Sequence, residues 1–206
     1  IGATFAWFTD TASTAVNKIQ AGNLDVKLMY STDMVNWKEA TDQTKLFDDN
    51  ALWEPGYTQV VYLKVVNAGN LALKYETGFS KNYTSNRGKN VNGDWYRVDN
   101  YLKIGTAETD TKFENREDVW SAIAATEKTL SKDVMLTDGW ITLKAKKESK
   151  PFAVAIYMPT SVGNEANASR LRPSYVTGLG IEVRATQATV ESDSFGSDYD
   201  ANSATV

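Results

Sequence analysis

Apolar and polar positions alternate in short runs along the chain, which is the pattern of half-buried β-strands. The strongest run covers residues 57–66 and is apolar on both faces, so we expect it to be a central strand. The turn sequence Asn67-Ala-Gly-Asn follows, and residues 71–75 alternate again, which predicts a hairpin between the two runs. The same pattern predicts further strands in residues 24–30, 95–104, 140–145, 151–159 and 179–185.

Residues 115–125 have the pattern of a helix instead of a strand. Asn115 can cap its N-terminus, acidic residues fill the first turn, and Val119 and Ile123 lie four positions apart. About seven or eight strands with one helix, and no alternation of strands with helices, predict an all-β protein. The fold class we expect is a jelly-roll-type antiparallel β-sandwich with one short helix and an N-terminal donor strand.

The N-terminal stretch, residues 1–12, is apolar on both faces of a strand, and a polar hinge follows at residues 13–18. Burying each of its aromatic rings is worth roughly 1.5–3 kcal/mol, so this strand needs a sheet to complete. We predict that a neighbouring copy supplies that sheet, by β-strand addition. The expected donor residues are Ala3, Phe5, Trp7 and Phe8.

The acceptor groove would be lined by alternating apolar residues of the strongest strands. The candidates are Val61, Leu63, Val65, Leu179, Ile181 and Val183. These residues would be ordinary core in a monomer that completes its own sheet. The expected organisation is therefore a donor strand and hinge in residues 1–15, followed by one β-sandwich in residues 16–206 that ends in an acidic tail.

The amino-acid composition excludes several kinds of catalytic and metal site. The chain has no histidine and no cysteine, which excludes Ser-His-Asp and Cys-His catalysis and histidine-based zinc sites. We expect no catalytic site, no metal site and no cofactor. A net charge of -4 without a basic block argues against nucleic acid as a partner, and no run is apolar enough to span a membrane. Small residues around Ala6 are typical of the end of a secretory signal, so we expect a secreted protein whose signal was removed upstream.

Seven blocks of sequence, in order along most of the chain, carry a family resemblance. They are residues 2–11, 17–26, 53–56, 67–75, 158–159, 162–167 and 185–200. Their order and spacing resemble the TasA/camelysin family of secreted proteins, which a dedicated signal peptidase processes. The resemblance implies a jelly-roll subunit of extracellular biofilm-matrix fibres on a Gram-positive bacterium, in which the N-terminal strand of one subunit completes the next. The implied partners are further copies of this chain, joined head to tail, and possible other matrix components.

Two other functions stay open at this point. A β-sandwich with aromatic residues on its surface suits a monomeric carbohydrate-binding or adhesin module, with sugars stacked on Trp37, Trp53, Trp95 or Trp140. Camelysin relatives are described as metallopeptidases, but a site built only from carboxylates suits calcium better than zinc. The segment Asp193–Asp200 has oxygen ligands around a glycine and could wrap calcium, or it is a solvated acidic tail.

Overall fold

The computed structural model describes residues 9–13, 24–80 and 82–188, and of residues 9–13 it describes the backbone. The fold is all-β with one short helix, which confirms the predicted class. The strands are β1 (Thr9–Ser13), β2 (Val26–Ser31), β3 (Lys38–Glu39), β4 (Thr58–Asn67), β5 (Leu73–Phe79), β6 (Thr84–Ser85), β7 (Gly88–Lys89), β8 (Trp95–Tyr96), β9 (Lys103–Glu108), β10 (Lys128–Thr129), β11 (Ile141–Leu143), β12 (Phe152–Tyr157), β13 (Val176–Thr177) and β14 (Ile181–Gln187). The helix α1 spans Arg116–Ile123, and short 3-10 turns span Val98–Tyr101 and Asn164–Ala166.

Two antiparallel sheets form the sandwich. The four-stranded sheet has the order β1-β14-β5-β11, and the six-stranded sheet has the order β10-β9-β12-β4-β2-β3. One continuous core joins their inner faces, with Leu28, Leu63 and Ile156 from one sheet packed together with Leu73 and Ile181 from the other. The β-sandwich is thereby confirmed, and its jelly-roll connectivity stays a prediction.

The predicted hairpin between residues 57–66 and 71–75 is wrong. Strand β4 is central in the six-stranded sheet, as predicted, but β5 belongs to the opposite sheet. The side chain of Asn67, which is fully buried, holds the corner between them. Its Nδ2 donates to the carbonyl oxygens of Leu71 and Leu143 at 2.8 and 3.2 Å, and its Oδ1 accepts from the Gly69 N–H at 3.0 Å. The turn therefore carries the chain from one sheet to the other.

The predicted strand over residues 95–104 is also divided. It begins as β8, then forms the turn Val98–Tyr101, and resumes strand geometry at Lys103. Asp99 lies within the turn and is only 8% exposed. Its carboxylate accepts from the Tyr83 hydroxyl at 2.6 Å and from Ser85 Oγ at 2.8 Å, which fixes the turn against β6.

Helix α1 begins and ends close to where its sequence pattern predicts. The side chain of Asn115 accepts a hydrogen bond from the Asp118 N–H at 2.9 Å, which satisfies one unpaired donor of the first turn. Val119 and Ile123 are buried against Ala155 on the outer face of the six-stranded sheet. The helix therefore covers this face and leaves the core between the sheets to the strands.

Candidate assembly site

The strand at one edge of the four-stranded sheet is β1, which comes from the N-terminal part of the same chain. Strand β1 pairs antiparallel with β14, with Thr9 opposite Thr186 and Ser13 opposite Glu182, and it also lies close to β2 of the other sheet. An N-terminal segment therefore completes this edge through backbone pairing, which is the kind of contact that strand donation uses.

The predicted donor residues themselves, Ala3, Phe5, Trp7 and Phe8, lie outside the described residues. Of the predicted hinge at 13–18, the structure describes only Ser13, which is the last residue of β1. The donor role of these side chains stays a prediction.

The six predicted acceptor residues come together in the interior of the sandwich. Each is at most 5% exposed, and all six belong to the single core cluster between the sheets. Three lie on β4, two lie on β14, and the last, Leu179, comes just before β14. In one chain they are ordinary core residues, as the alternative interpretation of the sequence expects, and a role as acceptor groove in an assembly stays a prediction.

The opposite edge of the same sheet is open. Strand β11 pairs with β5 through Ile141 opposite Tyr75 and Leu143 opposite Leu73. No strand in the described ranges pairs with its outer edge. Two large apolar side chains are exposed here, Trp140 at 46% and Ile141 at 41%. An apolar edge strand with unpaired backbone groups is a template for a further strand. The sequence pattern predicts a strand here, but it gave no signal that this strand is an edge.

A groove opens between the two sheets beside β11. Its volume is about 830 Å³, within the range of sites that hold a ligand or a short segment. Its walls include Tyr75 and Thr77 on β5, Thr106 and Glu108 on β9, and Phe152 on β12. Burial raises the pKa of the Tyr75 hydroxyl above its ordinary value of 10.0.

Thr77 gives the groove an unsatisfied polar atom. The residue is fully buried, and its Oγ1 has no hydrogen-bond partner among the described residues. Its backbone N–H, by contrast, donates to Thr137 Oγ1 at 3.0 Å. Buried polar atoms nearly always have a partner, so this orphan hydroxyl lowers the stability of the folded monomer. Two further buried atoms share this condition, Asp25 Oδ1 and Trp53 Nε1, but neither residue lines the groove.

The four tryptophans predicted as sugar platforms differ in exposure. Trp53 packs against the core and makes an edge contact with Tyr57, at 5.3 Å between ring centroids. Trp37 is partly covered, with Lys64 Nζ 4.8 Å from its ring centroid. Trp95 and Trp140 are each 46% exposed and lie on different elements. Two of the four therefore present substantial surface to solvent.

Within the described ranges, no group of three or more carboxylates is placed to hold a metal ion. The calcium-binding candidate, Asp193–Asp200, lies outside these ranges. No helix of the described chain is long and apolar enough to cross a membrane.

The fold and the site define an antiparallel β-sandwich whose four-stranded sheet ends in β1 on one side and in the apolar strand β11 on the other. Comparisons with known proteins go no further, because no protein family, no curated protein and no solved structure matches this chain. The likeness to the TasA/camelysin family therefore stays a prediction made from the sequence blocks.

Proposed function

We propose that this protein is a structural subunit that is secreted and polymerises head to tail into an extracellular filament, by donating its N-terminal segment. The observation that carries the proposal is the open β11 edge beside the groove between the sheets. The donated segment is residues 1–8, which directly precede β1.

The donor has a physical reason to leave its own subunit. Strand β1 already holds the chain on β14, and the residues before it include Phe5, Trp7 and Phe8, each worth roughly 1.5–3 kcal/mol when buried. Pairing residues 1–8 with the outer edge of β11 in the next subunit would satisfy backbone groups on both strands. It would also cover the exposed side chain of Ile141.

The positions of donor and acceptor favour a filament over a closed dimer. Strands β1 and β11 are the two outermost strands of the same sheet, with β14 and β5 between them. The strand that carries the donor segment is thus on the side of the subunit opposite to the acceptor edge. A contact between two different surfaces is heterologous, and repeating it without closure gives a linear polymer.

Truncation and two point variants test the donor, with electron microscopy and sedimentation as readouts. We expect the full chain to form filaments, and a chain that begins at Thr9 to stay monomeric and folded. Phe5→Ser with Trp7→Ser should also abolish filaments. The matched control is Val35→Ser with Leu52→Ser, which removes two apolar side chains that are 77% and 88% exposed elsewhere, and it should assemble normally.

The acceptor is tested by Ile141→Lys, because a charge on an edge strand opposes pairing. This variant keeps its donor segment, and the chain that begins at Thr9 keeps its acceptor edge. Neither should polymerise alone, and their mixture should give a one-to-one dimer. Filaments from either protein alone would overturn the proposal.

Disulfide trapping distinguishes the β11 edge from the β14 edge as the acceptor of a neighbour's strand. The chain has no cysteine of its own, so introduced cysteines can crosslink only with each other. Thr11 and Arg184 are paired across β1 and β14, so Thr11→Cys with Arg184→Cys should crosslink within one subunit, even inside filaments. A ladder of crosslinked subunits would show that β1 itself is exchanged. The β14 edge would then be the acceptor, and the assignment to β11 would fail.

A second candidate function is a monomeric carbohydrate-binding or adhesin module. The half-exposed ring of Trp140, whose centroid lies 5.5 Å from Lys74 Nζ, is the observation that favours it. A glycan array with the full chain and with Trp140→Ala tests this candidate. Saturable glycan binding that Trp140→Ala abolishes, in a protein that forms no filaments, would replace the filament proposal.

A further inference from the structure

Three cationic side chains surround one half-exposed tryptophan, and we call Arg87, Lys89, Trp95 and Arg172 the Trp95 cluster. The guanidinium carbons of Arg87 and Arg172 lie 4.9 and 5.8 Å from the ring centroid, and Lys89 Nζ lies 5.1 Å from it. Each cation is attracted to the ring, but the three positive charges repel one another because all of them lie within 6 Å of the same ring centroid. An anionic group placed among them would relieve that repulsion.

The backbone holds the cluster together. Lys89 on β7 is paired with Trp95 on β8, and its N–H donates to the Arg172 carbonyl oxygen at 2.8 Å. The segment with Arg172 passes so close to Gly88 that a Cβ there would lie 2.3 Å from the Ser174 nitrogen. Only glycine allows this approach, so the cluster is built by the fold.

The cluster lacks a counter-charge in the part of the chain that the structure describes. None of the seven ion pairs there uses Arg87, Lys89 or Arg172. The nearby carboxylate of Glu165 accepts from the Gly163 N–H at 2.9 Å, and Asp94 is exposed. Three unpaired cations around one ring are unexpected in a protein with a net charge of -4.

The chain itself contains a segment of matching chemistry. Residues 189–206 follow β14 and contain no lysine or arginine. Their acidic and aromatic residues are Glu191, Asp193, Phe195, Asp198, Tyr199 and Asp200. We propose that the Trp95 cluster is a docking site for this acidic segment of a second copy of the chain. The carboxylates bind the three cations, and an aromatic ring of the segment packs on Trp95.

The length of chain between β14 and the first acid favours docking onto the cluster of a second copy. Phe79 is paired with Ile181, and the chain runs from Phe79 through β6 to Arg87, so the cluster lies towards the Ile181 end of β14. The acidic segment leaves from the other end, after Gln187, and the strand between them spans about 20 Å. Glu191 is four residues beyond Gln187 and reaches at most about 14 Å. Glu191 therefore cannot reach the cluster of its own copy. The four acids can bind one cluster together only when they come from another copy.

The docking is tested with a fluorescent peptide of residues 189–206, titrated into the full chain by fluorescence anisotropy. The receptor carries Glu191→Gln, Asp193→Asn, Asp198→Asn and Asp200→Asn, so that its own segment does not compete. It also carries Ile141→Lys, so that assembly at β11 does not contribute to the signal. We expect saturable binding that weakens as salt rises, because exposed charges are screened.

A cluster variant and a matched control separate specific docking from general charge attraction. Arg87→Gln, Lys89→Gln and Arg172→Gln together should weaken binding about tenfold or more. The control removes three exposed cations elsewhere, with Lys38→Gln, Lys45→Gln and Lys112→Gln, and should bind as the receptor does. Circular dichroism checks that both variants keep the fold.

Three outcomes would overturn this proposal. The first is that the peptide does not bind, and the second is that the control variant loses as much affinity as the cluster variant. In the third, the peptide fails while an oligouronate or a single-stranded DNA oligomer binds and the cluster variant abolishes that binding. The cluster would then serve a different polyanion. None of these outcomes bears on filament formation through β11, which is tested separately.

Discussion

Replacing Thr77 with valine tests whether the unpartnered hydroxyl in the groove wall lowers the stability of the monomer. The Thr77 Oγ1 is buried without a partner among the described residues, and such a hydroxyl costs about 1–3 kcal/mol of stability. Valine keeps the branched shape and the strand preference but removes the hydroxyl. Thr77→Val should therefore stabilise the monomer, which is unusual for a substitution of a fully buried residue.

The expected gain in stability of Thr77→Val corresponds to a measurable shift of the urea unfolding midpoint. With a slope of about 2 kcal/mol per molar, a gain of about 1–3 kcal/mol moves the midpoint up by about 0.5–1.5 M. The matched control is Thr137→Val, the same substitution one contact away. Thr137 Oγ1 accepts from the Thr77 N–H at 3.0 Å, so its loss leaves that donor unpaired and should destabilise the protein by about 1–3 kcal/mol.

The two variants must therefore shift the midpoint in opposite directions. A loss of more than about 1 kcal/mol in Thr77→Val would refute the reasoning, since it would mean that the hydroxyl has a partner in the monomer. Because the hydroxyl is fully buried, Thr77→Val should leave the protein concentration needed for filaments unchanged.

Three further predictions concern the body of the sandwich. Asp99→Ala leaves the hydroxyls of Tyr83 and Ser85 without their acceptor, so urea unfolding should show a loss of about 2–4 kcal/mol. Gly105→Ala places a Cβ 2.9 Å from the Ile123 Cβ, so α1 must shift; we expect a loss of about 1–3 kcal/mol, and an unchanged unfolding midpoint would contradict this. Burial, and then the hydrogen bond to Asp99, raise the pKa of Tyr83 far above its ordinary value of 10.0. A raised pKa gives stability that is present below pH 10 and lost above it, so the thermal midpoint should fall from pH 10 to 11.5, and less steeply in Tyr83→Phe.

The sequence predicted the helix and the strand that are determined by residues close together in the chain. The cap at Asn115 and the spacing of Val119 and Ile123 gave α1 its start and its buried face. Alternation gave the inner face of β4, where Val61 and Leu63 are buried in the core. These features depend on residues a few positions apart, which a single sequence displays directly.

Features that depend on distant residues were not predictable. A polar turn looked like a hairpin, because nothing local shows that the Asn67 side chain binds the Leu143 carbonyl, 76 positions away. The open edge of β11 and the orphan hydroxyl of Thr77 follow from strand order, which alternation does not encode. Trp95 was recognised as a candidate aromatic, but the approach of Arg172 to it depends on packing against Gly88.

The difference between β11 and the other three edge strands of the two sheets is the strongest argument that β11 is a binding edge. The six-stranded sheet ends in two strands of two residues each, Lys128–Thr129 and Lys38–Glu39, and short charged edges resist pairing. At the second of these, Lys27 Nζ lies 3.1 Å from a Glu39 carboxylate oxygen, which adds charge along the edge. The third edge is β1 itself, which has the sequence Thr-Asp-Thr-Ala-Ser. Among the edge strands of these two sheets, as far as the structure describes their side chains, only β11 exposes a large apolar side chain, that of Ile141, and it lies beside a groove large enough to receive side chains. A monomer gains nothing from one apolar edge beside three polar ones, but an apolar edge favours the addition of a strand from a neighbour.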